Sequence, residues 1–130
     1  MARSGETLKR FHRETLDLLD ARREVRIHTS RPDGRTRSTI IWVMVEDDDV
    51  FIRSVRGDRG YWYQAALDDP DSVALRVGDR LIDVRPILAT DEDSIERCSA
   101  GVKRKYGRGA SVVAMLRPET LGTTLRLEPR

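Results

Sequence analysis

The sequence predicts a mainly β protein with flanking helices, folded as a small closed antiparallel barrel. Short segments of alternating apolar and polar residues recur along the chain, and turn-forming glycine, proline and aspartate residues separate them. The strand segments also lack the strand–helix–strand alternation that is typical of parallel sheets. Counting these segments gives about six short strands, and closing them into a barrel removes exposed sheet edges.

The first elements follow from local patterns. Ser4 is a candidate N-cap, and Phe11 and several leucines follow at helical spacing, which predicts an amphipathic helix over residues 5–19. The alternation from Glu24 to Ser30 predicts a strand, and the Pro-Asp-Gly sequence at 32–34 predicts the turn of a first hairpin.

The middle of the chain continues with strands and one helix. A single strand-like segment over residues 35–45, which turns apolar toward its end, leads to a predicted acidic turn at 47–49, and a second strand covers residues 50–56. Residues 61–67 predict a short helix that stops before the proline at 70, because the residue before proline avoids the α region. Residues 73–77 and 81–87 predict a hairpin around a glycine-containing turn.

The last third of the chain predicts a helix, a loop and a closing strand. Thr90 and Asp93 form a candidate capping box, and Cys98, Val102 and Tyr106 follow at helical spacing in what we interpret as the last clear helix. A basic, glycine-rich loop over residues 105–111 and a strand over residues 119–128 complete the chain.

Composition limits the function classes. The 130 residues fit one domain, which we assign to residues 1–130, and a net charge of +2 with interleaved signs gives little reason to expect nucleic-acid or membrane binding. The lone Cys98 excludes an internal disulfide, and the distant His12 and His28 give no metal site. The sequence shows neither an apolar signal region nor an apolar run of transmembrane length, so we expect a cytoplasmic protein.

Arginines beside small hydroxyl residues point to an anion site. In the segment over residues 35–45, period-two geometry places Arg35, Arg37 and Thr39 on one face. The second strand runs into Gly57 and a predicted helix start at Tyr61, where backbone N–H groups and the helix dipole favour a phosphate. The alternative is a solvated arginine face, because arginine is abundant throughout the chain.

Three runs within residues 24–88, DGRTRSTIIWV, VFIRSVRG and GYWYQAALDDPDSVALRVGDRLIDVRP, carry a family resemblance. They resemble the split-barrel flavin-binding superfamily of pyridoxamine-phosphate-oxidase-like proteins. Within it, they are similar to an uncharacterised bacterial domain family related to the deazaflavin-dependent nitroreductases. The resemblance implies a six-stranded split barrel, a homodimer, and FMN or a deazaflavin coenzyme between the subunits of an oxidoreductase that acts on a small molecule.

The resemblance also implies site residues by position. A basic strand, the strand and loop that face the cofactor ring, and an aromatic pair at a helix start supply the candidates. The predicted cofactor-binding residues are Arg35, Arg37, Ser38, Thr39, Arg53, Ser54, Val55, Arg56, Gly57, Trp62 and Tyr63. No catalytic residue is assigned, because in flavin enzymes the cofactor carries the hydride chemistry.

Several alternatives stay open. The nitroreductases tend to have glycine and lysine where Ser30, Arg31 and Pro32 stand, and proline where Ile40 stands, so FMN, a haem-type ligand or no cofactor are all compatible with the sequence. A cofactor-free or ligand-sensing relative is a further alternative. The basic residues at 103–108 are either a nucleic-acid grip or the last turn of a helix whose dipole they stabilise.

Overall fold

The structure, a computed structural model, describes residues 9–130. The helices in this range are α1 Arg13–Ala21, α2 Tyr61–Asp68, α3 Glu92–Tyr106, α4 Ala110–Met115 and α5 Pro118–Leu121. The strands are β1 Val25–Ser30, β2 Thr36–Ile41, β3 Met44–Glu46, β4 Asp49–Ile52, β5 Ala74–Val77, β6 Arg80–Leu88 and β7 Leu125–Pro129. Short 3-10 turns at Gly57–Arg59 and Pro70–Ser72 flank α2.

The seven strands form one antiparallel sheet in the order β2-β1-β5-β6-β7-β4-β3. The long strand β6 joins the two halves of this sheet, because residues 80–83 pair with β5 and residues 84–88 pair with β7. Helix α2 packs against β1, and α3 packs against β3. The architecture is a mostly antiparallel half-barrel with flanking helices, so the predicted fold class is confirmed.

The structure has one strand more than the six predicted, because the segment over residues 35–45 is not continuous. The chain leaves β2 after Ile41, and Trp42 and Val43 belong to no strand. The Trp42 ring stacks on the Tyr106 ring at a centroid separation of 3.9 Å, and the Val43 N–H donates to the Tyr106 hydroxyl at 3.2 Å. This anchor at the end of α3 redirects the chain, and β2 and β3 come to lie at opposite ends of the sheet order.

The core has two clusters of buried side chains. Strand β4 is buried on both faces and supplies both clusters, because successive side chains of a strand point in opposite directions. Val50 and Ile52 join the larger cluster with Leu19, Ile27 and Leu75. The smaller cluster contains Phe51, Cys98, Val102 and Met115. Burial raises the pKa of the Cys98 thiol to about 11, which fits its interpretation as a small core side chain.

Two predicted helix starts are wrong in detail. Helix α1 covers Arg13–Ala21 and not residues 5–19; residues 9–12 are not helical, and Ser4 and residues 5–8 lie outside the described residues. The N-cap of α3 is Asp91, whose carboxylate accepts a hydrogen bond from the Ser94 N–H at 3.1 Å, and not Thr90. Asp91 caps this helix because its carboxylate reaches an amide in the first turn.

The acidic turn is shorter than predicted. Asp47 and Asp48 have positive φ angles of 52° and 68° and form the two-residue connection between β3 and β4. Such a conformation suits a tight hairpin, because its twist matches that of the flanking strands. Asp49 is not part of this solvated tip: it begins β4 and is only 5% exposed.

The end of the chain is more helical than predicted. The expected loop over residues 105–111 overlaps the ends of α3 and α4, and the expected strand over residues 119–128 begins only at Leu125. Glycines at 107 and 109 have positive φ and separate α3 from α4, and Pro118 opens α5 at a position where proline suits a helix. Among the described helices, none has both the length and the apolarity needed to span a bilayer.

Candidate functional site

A cleft of about 200 Å³ lies where the end of β2, the loop after β4, and helices α2 and α4 come together. Apolar and polar groups contribute about equally to its walls, and two charged side chains, Arg53 and Glu24, line it. The residues that matter most here are Ile40, Trp42, Arg53, Val55, Trp62 and Met115. A concave site that combines apolar walls with convergent polar groups is typical of small-molecule binding.

Arg53 is the buried charged group of this cleft and is only 1% exposed, whereas Glu24 is exposed. Its Nε donates to Thr124 Oγ1 at 2.9 Å, and its Nη1 donates to Ser99 Oγ at 3.0 Å and to the Met115 carbonyl at 3.2 Å. Its Nη2 donates to the Ile95 carbonyl at 3.1 Å. These contacts occupy four of the five guanidinium N–H groups.

All four acceptors of Arg53 are neutral, and within residues 9–130 no carboxylate pairs with it. Burial lowers the pKa of Arg53, but an arginine in a protein stays protonated. A buried positive charge without a counter-ion costs several kcal/mol, of the order expected for a desolvated ion. An anionic or electron-rich ligand in the cleft would offset part of that cost.

Aromatic residues hold the walls of the cleft in place. Trp42 stacks on Tyr106 with an interplanar angle of 4°, and the Tyr106 hydroxyl donates to the Arg23 carbonyl at 2.6 Å. Trp62 contacts Tyr63 edge to face at a centroid separation of 6.2 Å. Because Trp42 and Trp62 are fixed by these neighbours, they offer rigid, flat surfaces to a planar ligand.

The loop after Arg53 is shaped by its own hydrogen bonds. The Ser54 hydroxyl donates to the Gly57 carbonyl at 2.7 Å, and the Ser54 N–H donates to Thr123 Oγ1 at 3.0 Å. Gly57 has a φ of +67°, and a Cβ there would lie 3.0 Å from the Glu119 carbonyl oxygen. Ser54 and Gly57 therefore fix the course of the loop, while Val55 between them points to the cleft.

The structure brings together three of the predicted cofactor-binding residues, Arg53, Val55 and Trp62, around the cleft. Arg35 and Arg37 lie outside it: Arg35 is exposed, and the Arg37 guanidinium lies 4.9 Å from the centre of the Tyr61 ring. The other predicted residues that do not line the cleft are Ser38, Thr39, Ser54, Arg56, Gly57 and Tyr63. Arg56 and Gly57 line a neighbouring open depression that shares Val55 with the cleft.

The other residues that line the cleft were not among the predicted cofactor-binding residues; they are Glu24, Ile40, Ile41, Trp42, Ser111 and Met115. Trp42 lies inside one of the three runs that carry the family resemblance, so the sequence offered a reason to include it among the site residues. No sequence feature marks Ser111 and Met115 as site residues, because α4 follows two glycines in a segment whose sequence is typical of a loop.

The basic residues near the end of α3 are largely engaged by the fold. Arg104 donates to Glu46 at 2.7 Å and to Asp20 at 3.1 Å. The Lys105 ammonium donates to the Leu19 and Val43 carbonyls at 3.0 and 2.7 Å, and burial lowers its pKa to about 8. Arg104 and Lys105 are therefore engaged by partners within the protein, although Arg104 is exposed like Lys103 and only Lys105 is partly buried.

The model of a bacterial family, DUF2255, described as an uncharacterized protein conserved in bacteria, matches residues 15–127. No curated protein sequence matches the chain significantly. Solved structures of low sequence identity share the fold of this chain, and they show the fold alone.

Three of these structures illustrate the likeness. Campylobacter jejuni ChuZ has a TM-score of 0.68 and 11% identity, covering 90% of this chain; this chain spans about half, 52%, of ChuZ. A putative pyridoxamine 5'-phosphate oxidase from Listeria innocua has a TM-score of 0.64 and 14% identity, covering 90% and 91% of the two chains. The F420-H2 dependent reductase FDR-A has a TM-score of 0.59 and 18% identity, covering 82% and 95%. The predicted resemblance to the split-barrel superfamily is confirmed.

Proposed function

This chain belongs to the bacterial family DUF2255, and we propose that it binds a flavin-type cofactor, FMN or a deazaflavin coenzyme, in the cleft that Arg53 lines. One observation carries the proposal: Arg53 is 1% exposed, carries a charge, and donates only to neutral acceptors among the described residues. The low-identity likeness to the putative oxidase and to the F420-dependent reductase supports the same cofactor class.

The residues of the cleft fit such a group. A flavin-type ring is flat and largely apolar on its faces, and its carbonyl-bearing edge is electron-rich. The rigid indole rings of Trp42 and Trp62 suit the faces, and the guanidinium of Arg53 suits the electron-rich edge. This is a match of chemistry to wall residues, and it requires no movement of the packed side chains.

One chain alone offers room for only part of the cofactor. The cleft volume of about 200 Å³ is below the roughly 300–1,000 Å³ typical of complete ligand pockets. Its rim is apolar and open, with Ile40 50% exposed and Val55 42% exposed. We infer that a second copy of the chain covers this rim, which makes the protein a homodimer and completes the cofactor site between subunits.

The function that follows is an oxidoreductase acting on a small molecule. When bound, the cofactor supplies hydride transfer, and the protein binds and orients it. Arg53 favours negative charge on the bound ring, because its own charge is buried and has no carboxylate partner in the described residues. Trp42 and Met115 exclude water from the inner part of the cleft. These roles require no acid–base group of the chain.

The test begins with the absorbance spectrum of the purified protein and titration with FMN, a deazaflavin coenzyme and haem. We expect binding of one flavin-type cofactor. Val55→Glu places a carboxylate at the cleft rim near Arg53 and should weaken that binding at least tenfold. Leu81→Glu is the matched control, because Leu81 is an apolar side chain on β6, 53% exposed and outside the cleft.

Two results would overturn the proposal. If none of the three cofactors binds, the cofactor-free or ligand-sensing relative becomes the better interpretation. If Val55→Glu and Leu81→Glu affect binding equally, the cofactor lies elsewhere. The homodimer is tested separately by light scattering over a concentration series: a constant mass near 14.9 kDa would contradict it, and Ile40→Glu should shift a dimer toward that mass.

A further inference from the structure

A second depression, of about 270 Å³, lies on the sheet where β1 and β5 pair. Arg26 of β1 and Arg76 of β5 line it and are direct partners in the antiparallel register. Like charges directly opposite each other on neighbouring strands destabilise a sheet. Because both arginines are anchored to inner strands of the sheet, their backbones cannot move apart to relieve the repulsion.

A third arginine lies at the edge of the same depression. Gly78, which lines it, has a φ of +63°, and a Cβ built there would lie 2.8 Å from Nη2 of Arg22. The Arg22 guanidinium therefore lies against Gly78 at the edge of the depression. Two arginines therefore line the depression, and a third lies against one of its lining residues.

These charges lack compensation. Within residues 9–130, no carboxylate lies within ion-pair distance of Arg22, Arg26 or Arg76, whereas nearby Arg85 pairs with Asp71 at 2.7 Å. Glu24 is the one acidic side chain among the lining residues, so the depression carries a net positive charge. The local field acts on His28 as well: burial, then Arg76 and Arg26, lower its pKa.

We propose that this depression, lined by Arg26, Arg76 and Gly78 with Arg22 at its edge, binds a phosphate-type anion. Several guanidinium groups facing one point suit the tetrahedral oxygens of a phosphate, since each can donate paired, charge-assisted hydrogen bonds. Ile40 and Glu24 line both this depression and the cleft of Arg53, so the two concavities are neighbours. The phosphate belongs either to the cofactor bound in that cleft or to a separate phosphorylated small molecule.

The primary test measures inorganic phosphate binding by calorimetry at low ionic strength, with Arg26→Gln, Arg76→Gln and the control Arg108→Gln. Arg108 is an exposed loop arginine far along the chain from this sheet region, so its replacement makes the same charge change elsewhere. Loss of one charge-assisted contact should weaken phosphate binding by about tenfold or more in the first two variants and leave it near wild type in the control.

A second readout separates binding from a structural role. Without phosphate, Arg26→Gln and Arg76→Gln should melt at or above the wild-type temperature, because a like-charge contact is removed. Phosphate should then raise the melting temperature of wild type more than that of either variant. Equal phosphate binding by all four proteins, or no binding by wild type, would overturn the proposal. So would a melting temperature clearly below wild type in both sheet variants.

The source of the phosphate is distinguished by comparing FMN with riboflavin, which lacks the phosphate. If the cofactor supplies it, wild type binds FMN more tightly and Arg76→Gln removes that difference. If a separate ligand supplies it, inorganic phosphate and the cofactor bind together, and Arg76→Gln leaves the FMN-to-riboflavin ratio unchanged. The anion site also stands apart from the proposed function: phosphate binding without any flavin binding would contradict only the flavin proposal.

Discussion

Arginines in two regions of this protein have opposite surroundings. At the junction between α3 and the β3–β4 hairpin, Arg97 pairs with Asp49 at 2.8 Å and with Asp93 at 3.0 Å. Arg104 in the same junction pairs with Glu46 at 2.7 Å. In the cleft and on the β1–β5 face, Arg53 and Arg76 have no such partner among the described residues.

The difference teaches where to look for ligands in a chain that is rich in arginine. The sequence contains 24 basic and 22 acidic residues, so carboxylates are nearly as numerous as basic groups. Neutral acceptors hold Arg53 in the fold, whereas at the α3 junction the fold pairs Arg97 and Arg104 each with a carboxylate. Where it buries or crowds guanidinium groups without one, the charge is left for something outside the chain, and such perturbed groups often mark functional sites.

We expect the largest loss of stability from removing the carboxylate of Asp49, which pairs with arginines. Asp49 is 5% exposed and binds both Arg97 and Arg10, so Asp49→Asn removes the buried carboxylate and leaves the mostly buried Arg97 only its exposed partner Asp93. We expect a loss of about 2–4 kcal/mol in the free energy of unfolding, measured by chemical denaturation. The control is Asp48→Asn in the adjacent turn, whose pair with Arg13 is exposed and should contribute only about 0–1 kcal/mol. Similar losses in both variants would contradict the burial argument.

The second effect is a dependence of folding stability on pH that arises from Lys105. Its pKa is about 8 in the folded protein against an ordinary value of 10.5, so between about pH 8 and pH 10 the unfolded chain binds more protons. Stability should therefore rise with pH across this window, and Lys105→Met should flatten the rise. Lys103→Met is the control, because Lys103 lies on the same helix and is exposed. Thermal melts at fixed ionic strength measure the change of stability with pH. An equally steep rise in Lys105→Met would contradict this prediction.

The third effect sharpens the contrast between the regions through salt. Arg104→Gln should lower stability by about 1 kcal/mol at low salt, because it removes a partly exposed pair with Glu46 and Asp20. Arg76→Gln should not lower it. Added salt should reduce the loss in Arg104→Gln, since screening already weakens those pairs in wild type. Urea denaturation at two salt concentrations measures this, and equal salt responses in both variants would argue against different surroundings.

The smallest effect is expected for Arg37, which lies on β2 outside the cleft. Its contact with the Tyr61 ring, at 4.9 Å, should contribute about 0.5–1 kcal/mol, so Arg37→Ala lowers the melting temperature slightly. Because Arg37 does not line the cleft, cofactor affinity should stay near wild type, in contrast to Val55→Glu. A tenfold loss of affinity in Arg37→Ala would show that the site extends along β2.

Much of the fold could be predicted because its signals are local. The alternation in β1, the glycine turn between β5 and β6, and the apolar spacing of α3 each lie within a few residues and agree with the structure. The break after Ile41 could not be predicted, because it falls inside a continuous apolar run at 40–45 that contains no turn-forming residue. It depends on Trp42 meeting Tyr106, a residue far along the sequence that is placed only by packing of α3.

The candidate site likewise combines features that the sequence predicted with features that only the structure showed. The sequence by itself determined that arginines, small hydroxyl residues and an aromatic pair lie near the turns of a barrel, and three of the predicted site residues, Arg53, Val55 and Trp62, line one cleft. Only the tertiary structure decided which arginine is buried, which ones meet carboxylates, and which ones face each other across β1 and β5. The physical reason is that burial and counter-charge depend on side chains brought from distant positions, such as Thr124 to Arg53, whereas strand and turn propensities depend on neighbours in sequence.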